Sequence, residues 1–268
     1  MEIEIPLRFV GPPDSANGGY ACGVTAQALT DGAAQVTLRR PPPVGRPLQL
    51  APTERGMGLH DGEHLVAEVQ EVDVPGLLAA AGEVPPVVGL DEARSLAASF
   101  DVAAYRATHP YPGCFGCGPD RSAGDGLCIF PASVDSGAGA TGRTIAWPWV
   151  PDASLAAGGG DDGEEGDGLV AVPFLWAALD CPGGLAWMQE VPEEPLVLGR
   201  MTTVINRRPA AGEQLVSGAW AIAKDGRKRL SGSVVWDDGG EVLALSHSTW
   251  IVLSDDQRVS FRAAGPGS

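Results

Sequence analysis

One acidic residue, Asp180, stands inside an otherwise apolar run, Val170-Ala-Val-Pro-Phe-Leu-Trp-Ala-Ala-Leu-Asp180-Cys-Pro-Gly-Gly-Leu-Ala-Trp187. Val172, Leu175, Trp176 and Leu179 recur at helical spacing, and Ala171, Ala177 and Ala178 fill the other faces. The run predicts a core helix, apolar almost all round, with Pro173 in the first turn where proline is tolerated. A soluble core rarely hides an unpaired carboxylate. Asp180 is therefore expected either to bind backbone near Cys181-Pro182 or to act as a base or nucleophile. Pro182 cannot continue a regular helix, so the helix is expected to end or kink just after Asp180.

A second group with chemical potential is His109-Pro-Tyr-Pro-Gly-Cys114-Phe-Gly-Cys117-Gly. Two cysteines at this spacing invite zinc or redox chemistry. A structural zinc needs four ligands. His109, Cys114, Cys117 and Cys128 are the local candidates, and the second cysteine pair of a zinc ribbon is absent. The expectation is a structural loop with reduced thiols, and a chain with no metal and no cofactor.

The elements that must position these groups follow one plan twice. Glu2 to Val10 alternates Ile3, Ile5, Leu7 and Phe9 to one side, as a half-buried strand does. Gly18 to Leu29 is a short helix of small residues. Ala34–Arg40, Arg46–Ala51, Met57–His60 and His64–Val72 read as strands. The second half places the long helix before strands at Leu196–Ile205, Glu213–Ala223, Leu230–Trp236 and Val242–Leu253. Asp61-Gly62 and Asp225-Gly226 supply the positive φ of tight hairpins, and Asp237-Asp238-Gly239-Gly240 turns the chain again. Strand, helix and meander, repeated, indicate internal duplication. Between the halves, Asp91 to Tyr105 looks helical with Asp91 as N-cap. The acidic, glycine-rich stretch 156–168 reads as a loop, and the tail after Leu253 as frayed.

The 268 residues allow two units of about 130 each, and 44% hydrophobic residues suffice for their cores. No run of eighteen apolar residues predicts a membrane span. The first residues, Met-Glu-Ile-Glu-Ile, have no basic region of a signal peptide, and five cysteines fit a reducing cytoplasm. A net charge of −16 disfavours nucleic acid, whose phosphates need a basic face.

A helix wrapped by antiparallel sheet, duplicated in one chain, resembles the double hot-dog acyl-CoA thioesterases. The resemblance implies an α+β fold of two tandem hot-dog modules, at 1–75 and 125–253, joined by a segment 76–124 and followed by a flexible tail 254–268. One thioesterase group starts its helix with a turn ending in Gly-Gly and carries an acid about two turns later. Here Asn17-Gly18-Gly19 supplies the turn in the first helix, which lacks the acid. The second helix lacks the turn and has Asp180 at the right distance. Each half carries what the other lacks, and one composite site per chain follows. Helix N-termini offer free N–H groups and positive partial charge. The backbone N–H groups of Gly19 and Tyr20 would form an oxyanion hole, and Asp180 would attack or activate water.

The resemblance also implies polar partners on the strands, for which Thr202, Thr203, Ser246, His247 and Ser248 are candidates. Alternate residues share a face, so His247 points opposite to Ser246 and Ser248. Trp176 is a candidate wall of the acyl pocket. Arg39-Arg40, Arg207-Arg208 and Arg227-Lys228-Arg229 are either solvated strand ends or contacts for the phosphates of coenzyme A or for a carrier protein. The bland reading of Asn17-Gly18-Gly19 is a turn and helix cap. Three functions compete: hydrolysis of an acyl-CoA or acyl-carrier thioester, a hydratase or dehydratase, and a silent acyl-binding protein. The second wants a pocket His paired with an acid, and neither helix carries a His. Association of copies through sheet edges is a further expectation.

Overall fold

The computed structural model describes residues 1–29, 33–134, 143–157, 167–188, 194–254 and 256–257. Most of the glycine-rich loop expected at 156–168, and the tail from 258 onward, lie outside the described residues.

The first half runs β1 (Glu2–Glu4), α1 (Gly18–Ala26), β2 (Ala33–Leu38), β3 (Pro47–Thr53), β4 (Gly56–Asp61) and β5 (His64–Val72). Three helices follow, α2 (Val74–Ala81), α3 (Leu90–Ser99) and α4 (Val102–Thr108), then a short β6 (Ala132–Ser133). The second half is β7 (Thr144–Trp149), α5 (Val172–Met188), β8 (Leu196–Ile205), β9 (Leu215–Asp225), β10 (Lys228–Asp237) and β11 (Val242–Val252). All strands join one antiparallel sheet in the order β1-β3-β4-β5-β2-β8-β11-β10-β9-β7-β6. Setting β6 aside, the order reads as a mirror about the β2–β8 junction, where Ala34 pairs with Thr203 and Thr37 with Arg200. This is an α+β fold of two tandem hot-dog modules sharing one sheet.

Both central helices lie on the same face of the sheet and bury one core that includes Val36, Leu59, Leu175, Leu179, Met201 and Trp250. The connecting helices cover part of the opposite face, where Leu77 and Ala81 of α2 and Ala93 of α3 pack with Val204, Val216, Trp220 and Trp236. The segment expected as one helix from Asp91 is two. α3 is capped by Gly89, Phe100 is extended, and Asp101 caps α4 through Ala104 N–H. The first strand is also shorter than its alternation suggests. It stops at Glu4, and a 3₁₀ turn at Leu7–Phe9 follows Pro6, which has no N–H to give a ladder.

The helices cross where α1 has no side chains. A Cβ on Gly19 would collide with Asp180 Cβ, and one on Gly23 would stand 2.5 Å from Pro173 Cα. Moving from Gly19 to Gly23 along α1 means moving back from Asp180 to Pro173 along α5, so the helices run antiparallel. Two glycines one turn apart let the backbones touch.

α5 does not end at Pro182, contrary to the reading of its sequence; it continues to Met188. Proline removes the N–H that would serve the carbonyl four residues back. That carbonyl, on Ala178, accepts from Ser217 Oγ of β9 at 3.2 Å, and the next, on Leu179, accepts from Ser233 Oγ of β10 at 2.6 Å. The sheet supplies the bond that the helix lacks. Gly183 and Gly184 then let the helix sit on Ser231 and Trp250 without room for a Cβ.

Candidate active site

The site begins at the N-terminus of α1. Asn17 is the N-cap, and its Oδ1 accepts from Tyr20 N–H at 2.8 Å. Across the helix crossing, Asp180 Oδ2 accepts from Gly19 N–H at 2.8 Å. A carboxylate from the second half is thus seated on the positive end of a helix from the first. Its other oxygen, Oδ1, is buried and takes no hydrogen bond among the described residues. Asp180 is 2% exposed. Burial raises its pKa to about 7, overcoming the Gly19 N–H bond; the negative charge of Cys114 raises it further, and the Asn17 side chain opposes.

A cleft of about 340 Å³ opens here, bordered by Asn17, Gly18, Asp180, Gly184, Leu198 and Trp250 among others. Its wall is mostly apolar, from α5, the start of β8 and the end of β11. Gly18 N–H, first in α1, meets no acceptor among the described residues and borders this cleft. The N–H groups expected to bind an oxyanion, those of Gly19 and Tyr20, are already engaged by Asp180 and Asn17. The free donor is one residue earlier. Tyr20 itself points into an aromatic cluster, stacked on Phe9 at 4.1 Å and packed near Phe115 and Phe174.

The strand residues divide by face. Met201 and Ile205 pack in the core beneath the helices, and Thr203 shares their alternation; its hydroxyl is buried without a partner among the described residues. Thr202 lies with Val204 on the opposite face, where its hydroxyl accepts from Gln35 Nε2, and His247 pairs with it across the strands. Thr202 and His247 therefore do not join Asp180. Burial and the Arg200 charge lower the pKa of His247. Trp176 does not border the cleft either; it is buried against Gly19 and Gly23 at the helix crossing.

Most of the basic residues proposed for phosphates are spent locally. Arg207 is paired with Glu213 and Asp237, Arg208 with Asp167, and Lys228 with Asp225. Arg227 bonds the Val252 carbonyl and Gln257, the latter at the cleft. Arg39 and Arg40 are the cations that border the cleft. Arg39 reaches Glu68, and Arg40 forms no ion pair among the described residues.

The Cys114–Cys117 loop forms another part of the cleft wall, and Cys181, next to Asp180, meets it there. Cys114 and Cys181 sulfurs stand 3.7 Å apart. Gly116 has no room for a Cβ, which would lie 2.6 Å from Cys181 Sγ. Cys128, the further candidate ligand that the sequence offered near the loop, is not in this group. Cys114 is held well below the ordinary thiol range, first by the Cys117 thiol and then by Cys181, against the effect of burial. Sequence reasoning missed Cys181 because its partners lie far away in the chain. It missed Gly23 although the Gly19-x-x-x-Gly23 spacing was a signal.

No protein-family model and no curated protein matches this sequence. Solved structures do. The tesB protein of Mycobacterium avium subs paratuberculosis superposes with a TM-score of 0.55 at 10% identity, over 94% of this chain and 91% of that one. The acyl-CoA thioesterase II TesB2 from Mycobacterium marinum gives 0.53 at 12% identity, over 94% and 92%. A conserved protein of unknown function with a hot dog fold, from Alicyclobacillus acidocaldarius, gives 0.56 at 13% identity, over 94% and 92%. The chain therefore shares its whole double hot-dog fold with TesB-type structures, at identities too low to carry residue roles.

Proposed function

We propose that this protein hydrolyses acyl thioesters, with acyl-CoA as the substrate class, at the single composite site of Asp180 and the α1 N-terminus. The observation that carries this reading is the asymmetry of the Asp180 carboxylate. Gly19 N–H fixes one oxygen, while the other is buried, without a partner among the described residues, and on a residue that borders an apolar cleft. Water held by Oδ1 gives its proton to the carboxylate as it attacks the thioester carbonyl. The carbonyl oxygen, now an oxyanion, is met by Gly18 N–H and the helix dipole. Collapse breaks the carbon–sulfur bond, and the proton on Asp180 passes to the leaving sulfur. A carboxylate with a raised pKa suits a base better than a bare nucleophile. The Arg39–Arg40 pair at the cleft suits the phosphates of coenzyme A. The fold likeness to a structure named acyl-CoA thioesterase II supports the class.

A panel of acyl-CoAs of increasing chain length, with release of free thiol as readout, tests the reading. Turnover of at least one above the uncatalysed rate is expected. Binding of acyl-CoA without turnover would instead favour a silent acyl carrier, in which Asp180 only caps α1. The hydratase alternative gains nothing from the cleft: its His109 is turned to Cys117, and the Asp180 carboxylate to Gly19.

A further inference from the structure

Three buried thiols converge where the connecting loop meets α5. The sulfurs of Cys114, Cys117 and Cys181 all lie within 4.8 Å of one another. Sulfurs bound to one tetrahedral zinc, each at about 2.3 Å from the ion, stand roughly 3.8 Å apart. The 3.7 Å between Cys114 and Cys181 meets that spacing without any rearrangement of backbone. Gly116 and Gly118 make the approach possible. The first leaves space for Cys181 Sγ, and Gly118 N–H closes the turn on the Cys114 carbonyl at 2.8 Å.

The surroundings are arranged for sulfur that carries charge. Asn17 Nδ2 donates to Cys181 Sγ at 3.4 Å and to Cys114 Sγ at 3.8 Å. His109 Nε2 lies 3.4 Å from Cys117 Sγ. His109 Nδ1 accepts from Tyr111 N–H at 3.0 Å, so a neutral ring carries its proton on Nε2 and donates it to that sulfur. His109 thus holds a sulfur in place rather than ligating beside it. Neutral thiols are weak acceptors, so N–H donors placed at all three sulfurs serve them best once a cation converts them to thiolates. Three thiolates enclosed together need a cation among them.

We propose that Cys114, Cys117 and Cys181 bind one zinc ion, with the fourth position open to the cleft that all three residues border. Thiolate-only protein ligation selects a soft, thiophilic metal over magnesium or calcium. The ion clips the connecting loop to α5 beside Asp180, and Asn17 links it to the α1 cap. The inference does not depend on the thioesterase reading. It departs from the sequence-based expectation of a metal-free loop because Cys181, not Cys128, completes the set.

The test is elemental analysis of full-length protein purified without chelator. About one zinc per chain is expected. Cys114→Ser, Cys117→Ser and Cys181→Ser should each abolish stoichiometric metal, while Cys22→Ser and Cys128→Ser keep it. His109→Gln should retain the ion with affinity weakened about 10-fold or more. Protein produced with cobalt in place of zinc should show thiolate-to-cobalt charge transfer and the strong visible bands of a tetrahedral ion. That spectrum decides the matter even if the serine variants fail to fold. Wild-type protein that stays metal-free after incubation with zinc and dialysis would overturn the proposal. So would bound metal that Cys181→Ser leaves in place, or a Cys114–Cys181 disulfide in the freshly purified chain.

Discussion

Asp180 on the second central helix accepts a hydrogen bond from the backbone N–H of Gly19 on the first, at 2.8 Å, across the junction of the two halves. The bond exists because Gly19 has no side chain. A Cβ there would meet Asp180 Cβ, the Trp176 carbonyl and Ala177 Cα. Gly19→Ala is therefore expected to spread the helices, lower stability by about 1–3 kcal/mol, and remove most thioester hydrolysis. Gly18→Ala meets only the mobile end of Leu198 and Leu38 side chains and Leu198 Cβ, at 3.0–3.5 Å, so it should cost less. Thermal melts and hydrolysis assays on both variants check the order. Equal effects would mean that the close crossing is unimportant.

Burial of Asp180 has a consequence for stability. Its folded pKa is raised to about 7, against about 3.9 for an unfolded Asp. A raised folded pKa contributes stability that is fully present below the unfolded value and is lost as pH climbs through the folded one. Asp180→Asn keeps an acceptor for Gly19 N–H and has no charge to bury. With both proteins metal-free, its melting temperature relative to wild type is expected to rise between about pH 4 and pH 7, then level off. A difference independent of pH would show that Asp180 is not buried as a titrating group.

Pro182 and Ser217 should be energetically coupled. Ser217→Ala leaves the Ala178 carbonyl buried with no donor, a loss of about 1–3 kcal/mol. Pro182→Ala restores the helical N–H for that carbonyl, so Ser217→Ala should cost much less in that background. Denaturant unfolding of the two single variants and the double variant measures the coupling. Additive costs would contradict this account of the continuous helix.

The parts of the fold written in local pattern were legible. The α5 periodicity and its lone acid were plain, and so were the Asp-Gly turns, where Gly62 and Gly226 take φ of 58° and 54°. What could not be read locally was supplied across the sheet. Ser217 and Ser233 rescue the helix beyond Pro182, and neither is near it in sequence. The arginines at 207 and 208 looked available for phosphate because their acids, Glu213, Asp237 and Asp167, become neighbours only on folding. Facing on β8 also needed the structure. The pairing slips between Thr249 and Trp250, opposite Arg200 and Leu198, which resets the alternation before Thr202 and Thr203. In the structure Asp180 meets the Gly-Gly turn through Gly19 N–H, and with Tyr20 N–H held by Asn17 it is Gly18 whose N–H is free among the described residues.

The central claim is that Asp180 activates water at the junction of the two halves. It is tested most directly by kcat/KM of Asp180→Asn against the acyl-CoA that wild type turns over fastest, with circular dichroism to establish the fold. The substitution is nearly isosteric. A fall on the order of 10²-fold or more, with the fold intact and acyl-CoA still bound, is the expected result. An Asn variant that hydrolyses the same substrate at the wild-type rate would contradict the account and leave Asp180 as a helix cap.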